Sequence, residues 1–188
     1  MKSVIIAGTG PWVPSRLPDG EVWYPNFEPR HSTLKARLTR AFQIHPPQTL
    51  NQREEAWARI CPVPLYMIRA SRRYPRSVPY PLRWVQKRFP SGTFCSSFDY
   101  MMAFALLEGF QHITLIGIGL QSGTLRERLM EHVSLAYWVG VARGRGVTVT
   151  WNSPMPFLHA PYRYGYDYFR ERRWGQQLGR DLLRELKG

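Results

Sequence analysis

The sequence predicts an α/β protein: a Rossmann-like, doubly wound, mostly parallel sheet with helices on both faces. Three observations carry that expectation. Short β-branched or apolar runs recur at 3–7 (SVIIA) and 112–119 (HITLIGIG), and VTVTW (147–151) gives another strand. Stretches of helical length and pattern separate the strand-like runs, so strand and helix alternate along the chain. The 188 residues, 44% of them hydrophobic, suffice for one domain with a sizeable core. That composition excludes wholesale disorder, and no apolar run is long enough to cross a bilayer.

Residues 3–7 read as a buried strand that runs into the tight turn Gly8-Thr9-Gly10-Pro11. The N-terminus therefore looks like a first strand and not a signal peptide. Pro11, Pro14, Pro18, Pro25 and Pro29 make 11–30 mostly loop, with EVWYP (21–25) as a candidate second strand. A helix is expected at 32–41, capped by Ser32 or Thr33. AFQIH (41–45) reads as a strand stopped by Pro46-Pro47, 49–60 as an amphipathic helix, and 64–69 as a further strand. Residues 70–92 mix Arg72, Arg73, Arg76, Arg83, Lys87 and Arg88 with Tyr74, Tyr80, Trp84 and Phe89, and include a helix at 82–89. The helix at 96–109 is nearly all apolar, hence buried, with Ser96 or Ser97 as its cap and Gly109 as its stop. After it come the central strand 112–119, a long helix at 125–143 ending before Gly144, and the strand 147–151. The expected organisation is a nucleotide-binding domain over 1–168 and a basic amphipathic helix over 169–188, helical from 169 to 187.

Charge narrows the partner class. Lys and Arg total 26 against 13 acidic residues, a net +13, and 22 of the 26 are Arg. The guanidinium fork suits phosphate, so the expected partner bears phosphate: a nucleotide, a nucleic acid, or both. GC-rich codon usage or a heat-adapted host is the competing explanation of the Arg excess. Cys61 and Cys95 make neither a disulfide framework nor a zinc site, and a reduced, cytoplasmic setting is expected. His31, His45, His112, His132 and His159 lack metal-site spacing; the acidic candidates near the glycine turns are Asp19, Asp99, Glu127 and Glu131, and no DxD-type pair occurs, so no divalent metal is implied.

Ligands of doubly wound sheets sit beyond the carboxyl ends of the strands, which directs attention to the turns 8–15, 45–49, 70–76, 119–124 and 152–158. Gly8, Thr9, Gly10 and Pro11 form a turn whose backbone N–H groups are expected to approach a phosphate. It lacks the third glycine of a dinucleotide fingerprint and the Gly-Lys-Ser/Thr of a P-loop, so a plain tight turn is the alternative. Ser96 and Ser97 open the buried helix, where N–H groups and the helix dipole attract an anion; capping alone is the alternative. His45, at a strand end, and His132, in the helix after the central strand, are candidate general bases. Tyr162, Tyr164, Tyr166 and Tyr168 offer hydroxyls to a leaving phosphate, or pack a loop.

The stretch SGTFCSSFDYMMAFALLEGFQHITLIGIGL resembles the signature of a Rossmann-like transferase group. That group includes bacterial sialyltransferases, motility-associated glycosyltransferase-like proteins and an archaeal hydroxymethylpterin pyrophosphokinase. Ser96-Ser97, Met101, Ala105, Gly109 and Gly117 match its pattern, and Gly8, Gly10 and Pro11 match its first turn. Small tailed-phage proteins are similar over residues 1–166, through AFQIH, VPYPLRWVQKRF and YWVGVARGRGVTV. Two departures stand out: Gly119 replaces the group's Asp after the central strand, and Thr9 replaces the Asn of the turn.

The resemblance implies a phage-encoded, nucleotide-dependent transferase of the infected cell's cytoplasm. Its best concrete form is a glycosyltransferase with a nucleotide-sugar donor and no membrane partner, for which DNA is a candidate acceptor. Gly8, Thr9, Gly10, Pro11, Ser96, Ser97, Gly117 and Gly119 would hold the nucleotide. Arg69, Arg72, Arg73 and Arg76 would neutralise phosphate or bind nucleic acid, and His45 or His132 would take the acceptor proton. The alternatives are a non-catalytic module that binds nucleic acid or a phage or host protein through the basic-aromatic stretch, and a nucleotide pyrophosphate-transfer enzyme.

Overall fold

Seven strands, all paired in parallel, form one sheet in the computed structural model. The structure describes residues 2–120 and 123–153, together with 158, 163, 166, 167, 172, 173, 176 and 180. The strands are β1 (Ser3–Ala7), β2 (Glu21–Pro25), β3 (Arg40–Gln43), β4 (Leu65–Met67), β5 (Ser77–Pro79), β6 (His112–Ile116) and β7 (Thr148–Trp151). Their spatial order is β5-β4-β3-β2-β1-β6-β7. The chain steps outward from β1 to β5, then crosses back to lay β6 on the other side of β1. The loops leaving β1 and β6 thus diverge, and the switch in strand order opens a crevice between them.

Alternation along β1 shows how the sheet is covered. Val4 and Ile6 belong to a core shared with Trp23, Phe42, Leu115 and the helices α3 (Leu82–Arg88), α4 (Ser97–Leu107) and α5 (Leu125–Gly144). Ile5 and Ala7 point the other way, to Val22, Tyr24 and Leu34 of α1 (Ser32–Arg37). On that second face Ala41, Leu65 and Met67 pack on Trp57 and Ala58 of α2 (Gln52–Ile60). Successive side chains of a strand face opposite ways, so a strand apolar at every position needs helices on both sides. The doubly wound expectation is met, and among the described strands the sheet is entirely parallel.

Several boundaries move, each for a local reason. α1 ends at Arg37, not 41, because Thr39 turns back to β2: its Oγ1 accepts from the Val22 N–H at 3.0 Å and donates to the Val22 carbonyl at 2.9 Å. Its N-cap is His31, which makes no side-chain cap bond, rather than Ser32 or Thr33. α2 starts at Gln52 instead of 49, after a 3₁₀ turn over Pro47–Thr49. Asn51 is its cap, and Glu54, three residues on, completes a capping box. The strand expected at 112–119 stops at Ile116, since Gly117 takes φ +62°. β5 lies unforeseen inside the basic stretch. It is three residues long, partly exposed, ends in proline and pairs on one side only, all edge-strand properties. The helix expected at 169–187, and with it the division at residue 168, lies almost wholly outside the described residues.

The amino edge of the sheet is closed by charge pairing. Arg40, at the start of β3, bonds Glu21 at 2.7 Å and Glu108 at 2.8 Å, with its guanidinium over the Trp23 ring. Charge at that edge is thereby neutralised within the fold, and the open chemistry lies at the opposite, carboxyl edge.

Candidate functional site

A cavity of about 460 Å³ occupies the switch point. Four strand ends supply its walls: Thr9, Gly10 and Trp12 after β1, Asn26 and Phe27 after β2, His45 after β3, and Gly117, Gly119 and Leu120 after β6. Cys95, Ser96, Ser97 and Phe98 at the start of α4, and Glu131 of α5, complete them.

The glycines let two loops touch. A Cβ at Gly8 would lie 2.6 Å from the Gly117 carbonyl oxygen, and one at Gly10 would lie 2.7 Å from the same atom. Neither distance is sterically tolerable, so both positions require glycine for close approach. The expectation that their N–H groups hold a phosphate is corrected here. The Gly8 N–H donates to the Ile116 carbonyl at 2.8 Å, and the Gly10 N–H to the Gly117 carbonyl at 2.7 Å. Both donors are spent on joining the β1 and β6 loops. The cavity keeps the amides of Ser97 and Phe98, the first two residues of α4, which have no intrahelical acceptor. Those amides and the positive end of an 11-residue helix form the anion-attracting part of the wall.

Asp99 fixes that helix start. Its Oδ2 accepts from the Cys95 N–H at 2.7 Å, the Ser96 N–H at 2.8 Å and the Ser134 hydroxyl at 2.8 Å. The residue is fully buried, and burial raises its carboxyl to about 6 despite those donors. Glu131 lies on the same side. Burial, reinforced by the charges of Asp99 and Glu127, raises it to about 7, so near neutrality it exchanges readily between donor and acceptor.

His45 stands at a junction. It lines the switch-point cavity and also two neighbouring hollows. Its Nδ1 lies 3.4 Å from Glu54 Oε1, and the Glu54 side chain is only 7% exposed. Glu54 is held in turn by the α2 capping box, its Oε2 accepting from the Asn51 N–H at 3.0 Å. A buried carboxylate anchored at a helix start thus faces one ring nitrogen of His45. Asn26 is fixed across the cavity in the left-handed region (φ +63°), its side chain accepting from Ser97 Oγ at 3.3 Å.

The sequence-predicted residues divide between this cavity and other places. Thr9, Gly10, Ser96, Ser97, Gly117, Gly119 and His45 line it; Gly8 sits behind it, and Pro11 is not among its lining residues. Neither is His132, whose Nδ1 lies 2.7 Å from the Arg128 carbonyl, one helical turn back. None of the four expected arginines lines it. Arg69 lines the adjacent hollow, and Arg73 pairs with Glu55. Arg72 and Arg76 line neither space. Tyr162, Tyr164 and Tyr168 lie outside the described residues; Tyr166 is described and 83% exposed. The acidic candidates of the sequence include Asp99 and Glu131; sequence reasoning missed Asn26 and Glu54. Only Glu54 had a usable signal, the Asn51-x-x-Glu54 capping pattern. Among the described residues no cluster of His, Cys, Asp and Glu has metal-binding geometry, and no helix is long and apolar enough to cross a membrane.

The all-parallel, Rossmann-like α/β fold has counterparts among solved structures. The sialyltransferase CstII from Campylobacter jejuni, solved with cytidine-5'-monophosphate, matches at a TM-score of 0.53 and 17% identity, over 85% of this chain and 84% of that one. The same enzyme with CMP-3FNeuAc matches at a TM-score of 0.51 and 17% identity, over 87% and 89%. No protein-family model matches the chain, and no curated protein matches it in sequence. The likeness is therefore one of fold.

Proposed function

We propose that the protein is a nucleotide-dependent transferase, in its best concrete form a glycosyltransferase that binds a nucleotide-sugar in the switch-point cavity. One observation carries the reading: the cavity joins two glycine-bearing strand ends to the start of α4, whose first two amides have no intrahelical acceptor. Such a wall suits a phosphate without requiring a cationic side chain. The fold likeness to an enzyme solved with a nucleotide and a nucleotide-sugar analogue supports the same reading.

Roles follow from the geometry. The Ser97 and Phe98 amides receive the donor phosphate, and Asn26 and Thr9 flank it. His45, oriented by Glu54, takes the proton of the acceptor hydroxyl as its oxygen bonds to the anomeric carbon. The bond from that carbon to the phosphate oxygen breaks, and the electron pair leaves with the phosphate. Glu131, raised to about 7, supplies the proton that the departing phosphate takes up. Thermal unfolding with CMP, UDP, GDP, ADP and their sugar conjugates tests this. A ligand at a hundred times its Kd stabilises by about 2.7 kcal/mol, a rise in Tm of roughly 5 °C or more in a domain of this size. No shift with any of them removes the reading.

One observation favours a second, non-catalytic reading. Trp84 on α3 is 65% exposed, lies beside Arg83 in a shallow hollow and has the Lys87 ammonium 5.8 Å from its ring centroid. An exposed ring between two cations suits base stacking and phosphate contact together. Under this reading, retention on single-stranded DNA falls steeply with salt and is lost in Trp84→Ala, whatever nucleotides do.

A further inference from the structure

Trp12 stands apart from the tryptophans of the interior. Trp23, Trp57 and Trp138 belong to the hydrophobic clusters. The indole N–H groups of Trp23 and Trp138 donate to Glu21 at 2.8 Å and to the Thr93 carbonyl at 2.7 Å. Trp12 is half-buried, joins no hydrophobic cluster of the described residues, and lines the switch-point cavity. That cavity is well enclosed: of its lining residues only Thr9 and His45 are exposed.

Trp12 is fixed through both backbone and ring. Its carbonyl accepts from Nδ2 of Asn152, the residue after β7, at 2.7 Å. Oδ1 of the same side chain accepts from the Gly117 N–H at 3.3 Å, so Asn152 ties the loops after β1 and β6 together. The six-membered part of the indole lies against Gly10, where a Cβ would stand 2.9 Å from Cζ3 and 3.0 Å from Cε3. A ring held in this way loses little freedom when a ligand binds.

The polar groups that hold Trp12 are committed to one another. The Gly10 N–H meets the Gly117 carbonyl, the Gly117 N–H meets Asn152, and Asn152 meets the Trp12 carbonyl. Trp12 therefore offers its part of the wall as a flat apolar π surface. The amides of Ser97 and Phe98 and the side chains of His45 and Glu131 carry the cavity's polar chemistry. Phosphate and sugar call for the polar groups, whereas a nucleobase, the flat part of a nucleotide, suits the ring. Phe27 also lines the cavity, but the Arg53 guanidinium already lies over its ring, 5.2 Å from the centroid.

We propose that Trp12 is the base-binding residue of this cavity, its indole stacking on the nucleobase. The proposal rests on the transferase reading above, because it presupposes a nucleotide here. Every base has a π face, so the ring strengthens the binding of each nucleotide without choosing among them.

Calorimetry on the full chain tests this with CMP, UDP, GDP and ADP and with their sugar conjugates. For the tightest-binding free nucleotide, Trp12→Ala is expected to weaken binding about tenfold. Trp12→Leu, which keeps apolar bulk without a π face, is expected to weaken it about as much, and Trp12→Phe by less than about threefold. Denaturant unfolding establishes that each variant folds. The same nucleotide is expected to quench the fluorescence of the wild type more than that of Trp12→Phe. If Trp12→Leu binds within about twofold of Trp12→Phe, no stacking is at work and the proposal is overturned. A loss in Trp12→Leu confined to the sugar conjugates also overturns it, since the ring would then meet the sugar. Failure of every nucleotide to bind the wild type overturns the transferase reading itself, and the base-binding role falls with it.

Discussion

Helices α2 and α4 begin with the same device and use it differently. In each, an acidic residue three positions past the cap turns back to the cap's backbone: Glu54 Oε2 accepts from the Asn51 N–H, and Asp99 Oδ2 from the Ser96 N–H. Asp99 spends the same oxygen twice more, on the Cys95 N–H and the Ser134 hydroxyl, and lies fully buried between α4 and α5. Glu54 keeps its second oxygen for His45. The contrast follows from length and setting. The shorter Asp side chain is confined beneath an apolar helix, while the longer Glu reaches past the cap to the sheet's carboxyl edge. One local motif thus fixes a wall of the cavity at α4 and, at α2, holds a carboxylate against His45.

Breaking the Asp99 cap is expected to have the largest effect. Asp99→Ala strands three donors at once, and an unmet buried donor costs about 1–3 kcal/mol. With partial relaxation the loss is about 3 kcal/mol of stability, measured by denaturant unfolding, and Asp99→Asn recovers part of it. Loss within 1 kcal/mol would mean that Asp99 does not hold the two helices together. Next comes the opposite wall: Gly10→Ala forces a Cβ against the Gly117 carbonyl, for about 2 kcal/mol and a loss of nucleotide binding by calorimetry. Wild-type binding by this variant would separate the loop junction from the site.

Glu54→Gln sharpens the comparison because Gln also completes a capping box. Stability is expected to change by less than about 0.5 kcal/mol while kcat falls about tenfold, or ~1.4 kcal/mol; equal changes in both would reduce Glu54 to a cap. The smallest effect concerns Glu131. Its folded value, about 7, stands above its ordinary 4.5, so the native state binds more protons between those values and stability falls as pH rises through that window. Glu131→Gln removes that fall. Its Tm advantage over wild type should be greater at pH 8 than at pH 5, by a degree or two, and an equal advantage at both would contradict the assigned environment.

Much of the framework was legible before any coordinates. β1, β6 and β7 are β-branched runs and α4 is nearly all apolar, so element type follows directly, and the Val-Thr alternation of β7 reappears as one buried residue between exposed ones. The Gly8–Gly10 turn and His45 lie at the carboxyl edge as expected, because each follows a parallel strand. β5 was not legible: three edge residues with a terminal proline carry no pattern. Nor was Asn26, a loop residue that no local pattern assigns to the cavity.

Chain order and apolar spacing alone determined that this protein is a doubly wound sheet with its glycine turns at the carboxyl edge, since periodicity is a local property. Tertiary structure decided what each polar group does there. It spent the Gly8 and Gly10 amides on the β6 loop, turned Glu54 to His45, and held the four expected arginines away from the cavity. Those outcomes depend on distances between segments far apart in the chain, which no local pattern encodes.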